Sequence, residues 1–146
     1  MNTLLEAKAI LPRIVELRRR IHAHPELGNH LPITTASVLA ELADLGLEIR
    51  KSKKSTSIVA TLHGAGPGPR ILLRGDMDAL PMPENNDLSI ASRQENKMHA
   101  CGHDAHTAML AGVPPLTGLQ QGSLLARLLH LCGGPGSESG PHGGHP

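Results

Sequence analysis

The chain has 146 residues, a formal net charge of +1 at pH 7 and no Phe, Tyr or Trp. The lack of a basic surplus and of aromatic rings argues against DNA binding and against binding of single-stranded nucleic acid by base stacking. No apolar run is long enough to span a membrane, no signal-peptide pattern is present, and two cysteines are too few for a disulfide scaffold. We therefore expect a cytoplasmic protein.

The first 112 residues predict alternating helices and strands. Apolar periodicity and turn residues predict a helix over 4–21, a helix over 34–45, strands over 47–50, 56–62 and 70–74, and a helix near 105–112. We expect the main part of the first helix to begin at Pro12, and Thr34 or Thr35 to cap the second. This order of elements is typical of an α/β layered domain.

The composition changes after residue 112. Residues 113–146 contain only two charged side chains, Arg127 and Glu138, and are rich in Gly and Pro. Such a composition favours a disordered, low-complexity segment over a packed one. We therefore predict two regions, a folded one over 1–112 and a Gly/Pro-rich tail over 113–146.

Two prolines coincide with this change. We expect Pro114 and Pro115 to end the helix in progress, because a proline lacks the N–H and its ring clashes with the preceding turn. The Leu-rich piece 123–131 could form two helical turns. Our hypothesis is a frameshift or gene-model error near codon 113, which the other two nucleotide reading frames would test. A real truncation with a divergent tail is the alternative.

Two carboxylates follow the strand predicted over 70–74. Asp76 and Asp78 lie where open α/β sheets bind ligands, beyond the carboxyl end of a strand. Carboxylates in this place could hold a metal, orient a histidine ligand or hold a lysine. The alternative is an Asx-type turn with two solvated acids.

A thiol and an imidazole lie two residues apart at Cys101 and His103. Sulfur and imidazole nitrogen both suit zinc and its neighbours, and Gly102 between them allows a tight turn. Two ligands do not make a complete site, because three or four are needed. The alternative is a polar helix start with a buried thiol and exposed histidines.

Three segments, 22–28, 74–81 and 99–110, together resemble one known family in order and approximate spacing. It is the metal-dependent amidohydrolase and carboxypeptidase family, with hippurate hydrolases, N-acyl-amino-acid amidohydrolases and plant indole-acetyl-amino-acid hydrolases. The resemblance covers roughly residues 5–112. It implies an enzyme that hydrolyses the amide bond of N-acyl amino acids. It also implies that residues 1–112 form an incomplete, N-terminal part of a mixed-sheet catalytic domain flanked by helices.

The resemblance also implies a metal centre. Cys101 corresponds to a thiolate that contacts the metals, His103 to an imidazole ligand, and Asp78 to a carboxylate that supports the centre. The intact family enzyme would hold two divalent ions, zinc or manganese, and would act on a small-molecule substrate. Nucleic acid and membrane partners are not expected, and family members are often homo-oligomers.

The chain also departs from the family pattern. The glutamate that would serve as general base should follow Cys101 by some distance, but Glu138 is the only carboxylate beyond Asp104. We interpret His22 and His24 as a helix cap and packing contact, while His106 could line the site. Three hypotheses remain, namely part of an amidohydrolase, an inactive metal-binding remnant and a structural remnant without metal. We expect the chain by itself to be inactive.

Overall fold

Three helices and four strands make up the part of the chain that the computed structural model describes, residues 3–63, 66–118 and 125–132. In chain order they are α1 (Thr3–Ala23), α2 (Pro32–Leu42), β1 (Glu48–Lys51), β2 (Ile58–Leu62), β3 (Gly66–Asp76), α3 (His103–Gly118) and β4 (Leu125–Cys132). The first six follow the predicted order, so the expected mixture of helices and strands is confirmed.

The four strands form one mixed sheet in the order β1-β2-β4-β3. β1 pairs with β2, and β2 with β4, in antiparallel fashion, whereas β3 and β4 run parallel. Ile58 of β2 is opposite Leu131, and Leu72 of β3 is opposite Leu128. β4 therefore separates β2 from β3 and joins the two halves of the sheet.

Two expectations about the region after residue 112 are wrong. α3 continues through Pro114 and Pro115 to Gly118, and residues 125–132 form a strand instead of helical turns. Val113 packs against the core and Pro114 is buried, so packing outweighs the cost of proline in the helix. Residues 125–132 are a short apolar run whose periodicity does not distinguish a helix from a strand. Pairing with β2 on one side and β3 on the other favours the strand. The predicted disorder from residue 133 onward lies outside the described residues.

The starts of the first two helices also differ from expectation. α1 begins at Thr3 and includes Pro12 within the helix. α2 begins at Pro32, and its first N–H groups are capped by a distant side chain, not by a threonine. Glu26 accepts hydrogen bonds from the backbone N–H groups of Ile33 and Thr34, at 3.1 and 2.8 Å. A carboxylate is favourable there because a helix N-terminus carries partial positive charge.

Aliphatic side chains fill the core, as the absence of aromatic residues requires. Leu17 and Ile21 lie four residues apart on one face of α1, and both are buried. α1 packs closely against α3 at Gly112, where an added Cβ would lie 2.8 Å from Ile14 Cδ1. Among the described residues, no helix has both the length and the apolar character needed to cross a membrane.

The chain between β3 and α3 is mostly irregular and is tied to the rest of the fold by a few backbone contacts. Ala79 forms a bridge with Leu27 and donates its N–H to the Glu26 carbonyl at 2.8 Å. Leu80 and Met98 exchange two backbone hydrogen bonds, at 2.9 and 3.0 Å. These contacts bring the two ends of the segment back to the carboxyl end of β3.

Candidate functional site

Asp78 and His103 meet where the end of β3 faces the start of α3. His103 Nδ1 lies 2.9 Å from the carbonyl oxygen of Asp78 and 3.1 Å from its carboxylate Oδ1. Both neighbours accept hydrogen bonds, so Nδ1 carries the proton. When the ring is uncharged, its lone pair is then on Nε2, the nitrogen available to a ligand.

Cys101 precedes His103 on the turn that begins α3. Gly102 between them has a φ of +78°, in the left-handed region that favours glycine. Cys101 is half-buried and His103 is buried. The structure thus places the two predicted metal ligands on one turn and brings the predicted supporting carboxylate against the second.

Asp76 has a different environment from Asp78. Its carboxylate accepts a hydrogen bond from Arg74 at 2.6 Å, and its carbonyl accepts one from Thr107 Oγ1 at 3.0 Å. Asp76 therefore links the end of β3 to α3 through its backbone. His106 is exposed on the next helical turn, with its ring centroid 6.0 Å from that of His103.

Residues 3–63, 66–118 and 125–132 contain no group of three or more His, Cys, Asp or Glu side chains arranged to hold a metal ion. Cys101 and His103 are a thiol and an imidazole, the donor types that zinc takes in proteins. Two such donors are part of a coordination shell and leave the other positions open.

A second polar cluster lies beside this turn and was not predicted. Asp104 is fully buried, and its Oδ2 accepts hydrogen bonds from Arg18 Nε and His22 Nδ1, each at 2.8 Å. His22 Nε2 lies 3.1 Å from Glu84 Oε1. Glu84 also accepts from the Ser92 N–H at 2.7 Å. This cluster connects α1, the irregular segment and the start of α3.

The two histidines of the 22–28 segment have different environments. His24 Nδ1 lies 3.0 Å from the carbonyl oxygen of Arg20, so it binds the end of α1 as expected for a cap. His22 instead lies between the carboxylates of Asp104 and Glu84. The sequence signal that could have suggested this is the spacing of Arg18 and His22, which places them on one helix face.

His99 is buried beside the same cluster. Its ring centroid lies 6.2 Å from that of His22, and neither ring nitrogen has a hydrogen-bond partner within the described residues. Burial lowers the pKa of His99 to about 4, and the nearby negative charge of Asp104 opposes this only in part. His99 is therefore a neutral ring at neutral pH.

The two buried carboxylates of the cluster are held ionised. Burial alone would raise the pKa of Asp104, but the His22 hydrogen bond, the nearby His99 and Arg18 together hold it below its usual value. The pKa of Glu84 is also lowered, because hydrogen bonds from Ser92, Asn86 and His22 outweigh the effect of burial. Asp104 and Glu84 therefore stay ionised on either side of the His22 ring.

Comparison with known proteins identifies relatives for most of the chain. The model for peptidase family M20/M25/M40 matches residues 72–144. Thermostable carboxypeptidase 1 of Saccharolobus solfataricus is 40% identical over 132 residues, which are 90% of this chain and 33% of that protein. The N-acyl-L-amino acid amidohydrolase of Geobacillus stearothermophilus is 46% identical over 100 residues, which are 68% of this chain and 27% of that protein. The chain thus spans about a third of the length of the curated relatives it matches.

A solved structure shows the same arrangement of elements. The Bacillus subtilis YXEP protein, described as a dinuclear metal binding peptidase from the M20 family, matches with a TM-score of 0.80 and 35% identity. The match covers 85% of this chain and 35% of that one. It confirms the predicted partial mixed α/β fold and, with the family model, the resemblance drawn from the three sequence segments. The chain belongs to peptidase family M20/M25/M40.

Proposed function

We propose that this chain contributes part of the metal centre of a hydrolase that cleaves the amide bond of N-acyl amino acids. The observation that carries the proposal is the contact of His103 Nδ1 with the buried Asp78, which presents Nε2 as a ligand atom on the turn that holds Cys101. Relatives named as amidohydrolases and carboxypeptidases support the class of reaction.

The residues present fit a divalent ion such as zinc or manganese. The Cys101 thiolate and His103 Nε2 would hold it, and Asp78 would fix the tautomer and the direction of the His103 ring. A metal bound there would polarise the amide carbonyl and lower the pKa of a bound water. Asp78 accepts the hydrogen bond from His103 Nδ1 and does not need to touch the metal to do so.

Metal binding by the chain tests the first part of this proposal. Two protein donors leave most of the coordination shell to water, so dialysed protein should retain well under one zinc or manganese ion per chain. Cobalt added in excess should give a thiolate-to-cobalt charge-transfer band that Cys101→Ser removes and His103→Ala weakens. His24→Gln, a histidine outside the site, is the matched control and should leave the band unchanged. A cobalt band that persists in Cys101→Ser would contradict the assignment.

Hydrolysis tests the second part. The chain alone should release no amino acid from hippurate or N-acetyl amino acids above background, with zinc or manganese added. A general base contributes about 10²–10⁴-fold to such reactions, and the carboxylate we considered for that role, Glu138, lies outside the described residues. Turnover that disappears in Cys101→Ser would refute the expected inactivity and would establish the activity directly.

The lack of a third metal donor among the described residues favours one alternative, a non-catalytic metal-binding remnant of such an enzyme. Cobalt binding without turnover would support this alternative. If another nucleotide reading frame near codon 113 gives a family-like continuation, turnover by that chain would support the hydrolase.

A further inference from the structure

We propose that His22, acting through Asp104, is a positioning residue for the turn that carries Cys101 and His103. The inference deepens the proposed function, since it concerns how the proposed ligands are held. It rests on the cluster that joins α1 to the first turn of α3, in which Asp104 directly follows His103.

The turn leads into the first turn of α3, where the Gly102 carbonyl accepts hydrogen bonds from the N–H groups of Ala105 and His106, each at 3.0 Å. It passes through Gly102 in the left-handed region, where glycine is conformationally permissive. The position of His103 therefore depends on what holds the first turn of α3. On the side of β3, two hydrogen bonds hold this first turn. Thr107 Oγ1 donates to the carbonyl of Asp76, and His103 Nδ1 donates to the carbonyl of Asp78.

On the side of α1, two side chains hold the first turn of α3 through one carboxylate oxygen of Asp104. Asp104 Oδ2 receives both Arg18 Nε and His22 Nδ1, each at 2.8 Å, and the carboxylate is fully buried. The Arg18 side chain is 42% exposed, whereas that of His22 is 6% exposed. The His22 contact with Asp104 is buried at both ends, whereas the Arg18 contact is partly open to solvent, which weakens it by screening.

His22 is itself fixed from the other side. Its Nε2 lies 3.1 Å from Glu84 Oε1, and the Glu84 side chain is held by the Ser92 N–H and by Asn86 Nδ2. The ring thus cannot rotate without breaking a contact at one of its two nitrogens. It transmits the position of α1 and of the irregular segment to the start of α3.

The test compares two His22 variants, each of which keeps one of the two hydrogen bonds of the ring and loses the other. The amide nitrogen of an asparagine lies near the place of histidine Nδ1, and that of a glutamine near Nε2. His22→Asn therefore keeps a donor toward Asp104 and loses the one toward Glu84, while His22→Gln does the reverse. Both variants remove the same ring, so a purely structural role would affect them alike.

Cobalt titration of both variants gives the main measurement. Loss of a group that contacts a metal ligand directly costs about 10- to 100-fold in metal affinity. Because His22 acts one contact further away, through Asp104, His22→Gln should bind cobalt up to about 10-fold more weakly than wild type. His22→Asn should stay near wild type even if both variants lose thermal stability. Equal weakening in the two variants, in step with their melting temperatures, would overturn the proposal.

A metal-free measurement separates this inference from the proposed function. Nitrogen NMR of the histidine rings should show His103 as a single tautomer with the proton on Nδ1 in wild type and in His22→Asn, and as a mixture in His22→Gln. If wild type gives no Cys101-dependent cobalt band, the proposed function fails, and the NMR comparison still decides the positioning role. If His22→Gln does not fold, Asp104→Asn replaces it, and an unchanged His103 tautomer there would overturn the proposal.

Discussion

Three buried histidines of this fold differ in what their ring nitrogens meet. His103 has one carboxylate neighbour and one nitrogen available to a ligand, His22 has a carboxylate at each nitrogen, and His99 has no partner in the described part of the chain. Histidine thus has three roles in this fold: a proposed metal ligand, a link between secondary-structure elements, and an uncharged side chain packed in the interior. The number of partners, and not the residue type, distinguishes these roles.

Two buried threonines allow a direct measurement of one hydrogen bond. Thr107 Oγ1 donates to the Asp76 carbonyl at 3.0 Å, whereas Thr34 Oγ1 has no partner within the described residues. Thr107→Val should lower the free energy of unfolding by about 1 kcal/mol, because the half-buried Asp76 carbonyl loses its side-chain donor. Thr34→Val, of the same shape, should leave stability unchanged or raise it. Urea denaturation of both variants checks this, and equal losses would contradict it.

Glu84 should make the fold sensitive to acid. Its pKa is held below the usual value, so the unfolded chain binds a proton that the folded chain does not as the pH falls toward that range. The stabilisation is therefore present above the unfolded pKa and is lost as the pH falls through the folded one. Glu84→Gln should flatten the acid side of the profile of melting temperature against pH.

The control for this prediction is Glu48→Gln. The pKa of Glu48 is also lowered, by His63 and Arg50, but this carboxylate is exposed on β1. Salt screens exposed pairs much more than buried ones. The effect of Glu48→Gln should therefore fade at high salt, while that of Glu84→Gln persists. A Glu84 effect that fades equally would show that the cluster is open to solvent.

The sequence indicated part of the candidate site. The resemblance of three segments to a family implied that Asp78 supports a metal centre with Cys101 and His103 as ligands, and the structure places Asp78 against His103. The cluster of His22, Asp104 and Glu84 was not predicted, since it joins residues far apart in sequence through the packing of α1 on α3. Local sequence patterns do not predict such long-range contacts, because the contacts arise only when the helices pack together.

At the scale of elements, the turn before α3 depends on a glycine in the left-handed region, Gly102. Gly102→Ala should destabilise the fold by about 1–2 kcal/mol, since an L-residue is disfavoured in the left-handed region. Gly46→Ala is the matched control, because Gly46 has a φ of +65° and open space around it, as Gly102 does. Both variants should lose similar stability in thermal melts, and only Gly102→Ala should weaken cobalt binding. Equal cobalt binding by the two would contradict a role of this turn in the site.

Elements that carry a local sequence pattern were predicted, whereas features that depend on distant contacts were not. α1, α2 and the first three strands carry local patterns of period and turn residues, and all were anticipated in order. The cap of α2 by Glu26 and the strand at 125–132 depend on distant partners, so local rules gave the wrong answer. Pro114 shows the same effect, because it is buried and the helix continues through it although local rules would end the helix there.

At the scale of the whole molecule, the two described edges of the sheet differ. β1 carries the charged side chains of Glu48, Arg50 and Lys51, whereas β3 exposes Ile71 and Leu72, the latter by 57%. An exposed apolar edge strand favours pairing with other chains, while charges discourage it. The two edges should therefore behave differently at high concentration.

We predict that the chain associates through β3. Sedimentation should show concentration-dependent oligomers or aggregates, and Leu72→Lys should reduce them. Leu88→Lys is the control, because Leu88 is 59% exposed but lies in the irregular segment away from the sheet. A monomer at all concentrations, or an equal effect of both substitutions, would contradict this prediction.

The central place of β4 has a consequence for the order of folding. The strand between β2 and β3 is the last described element to leave the ribosome, so the inner edges of both neighbours stay unpaired during synthesis. Closing such distant contacts costs chain entropy before any pairing compensates it, which makes this step slow. The helices, built from local contacts, can form before β4 closes the sheet.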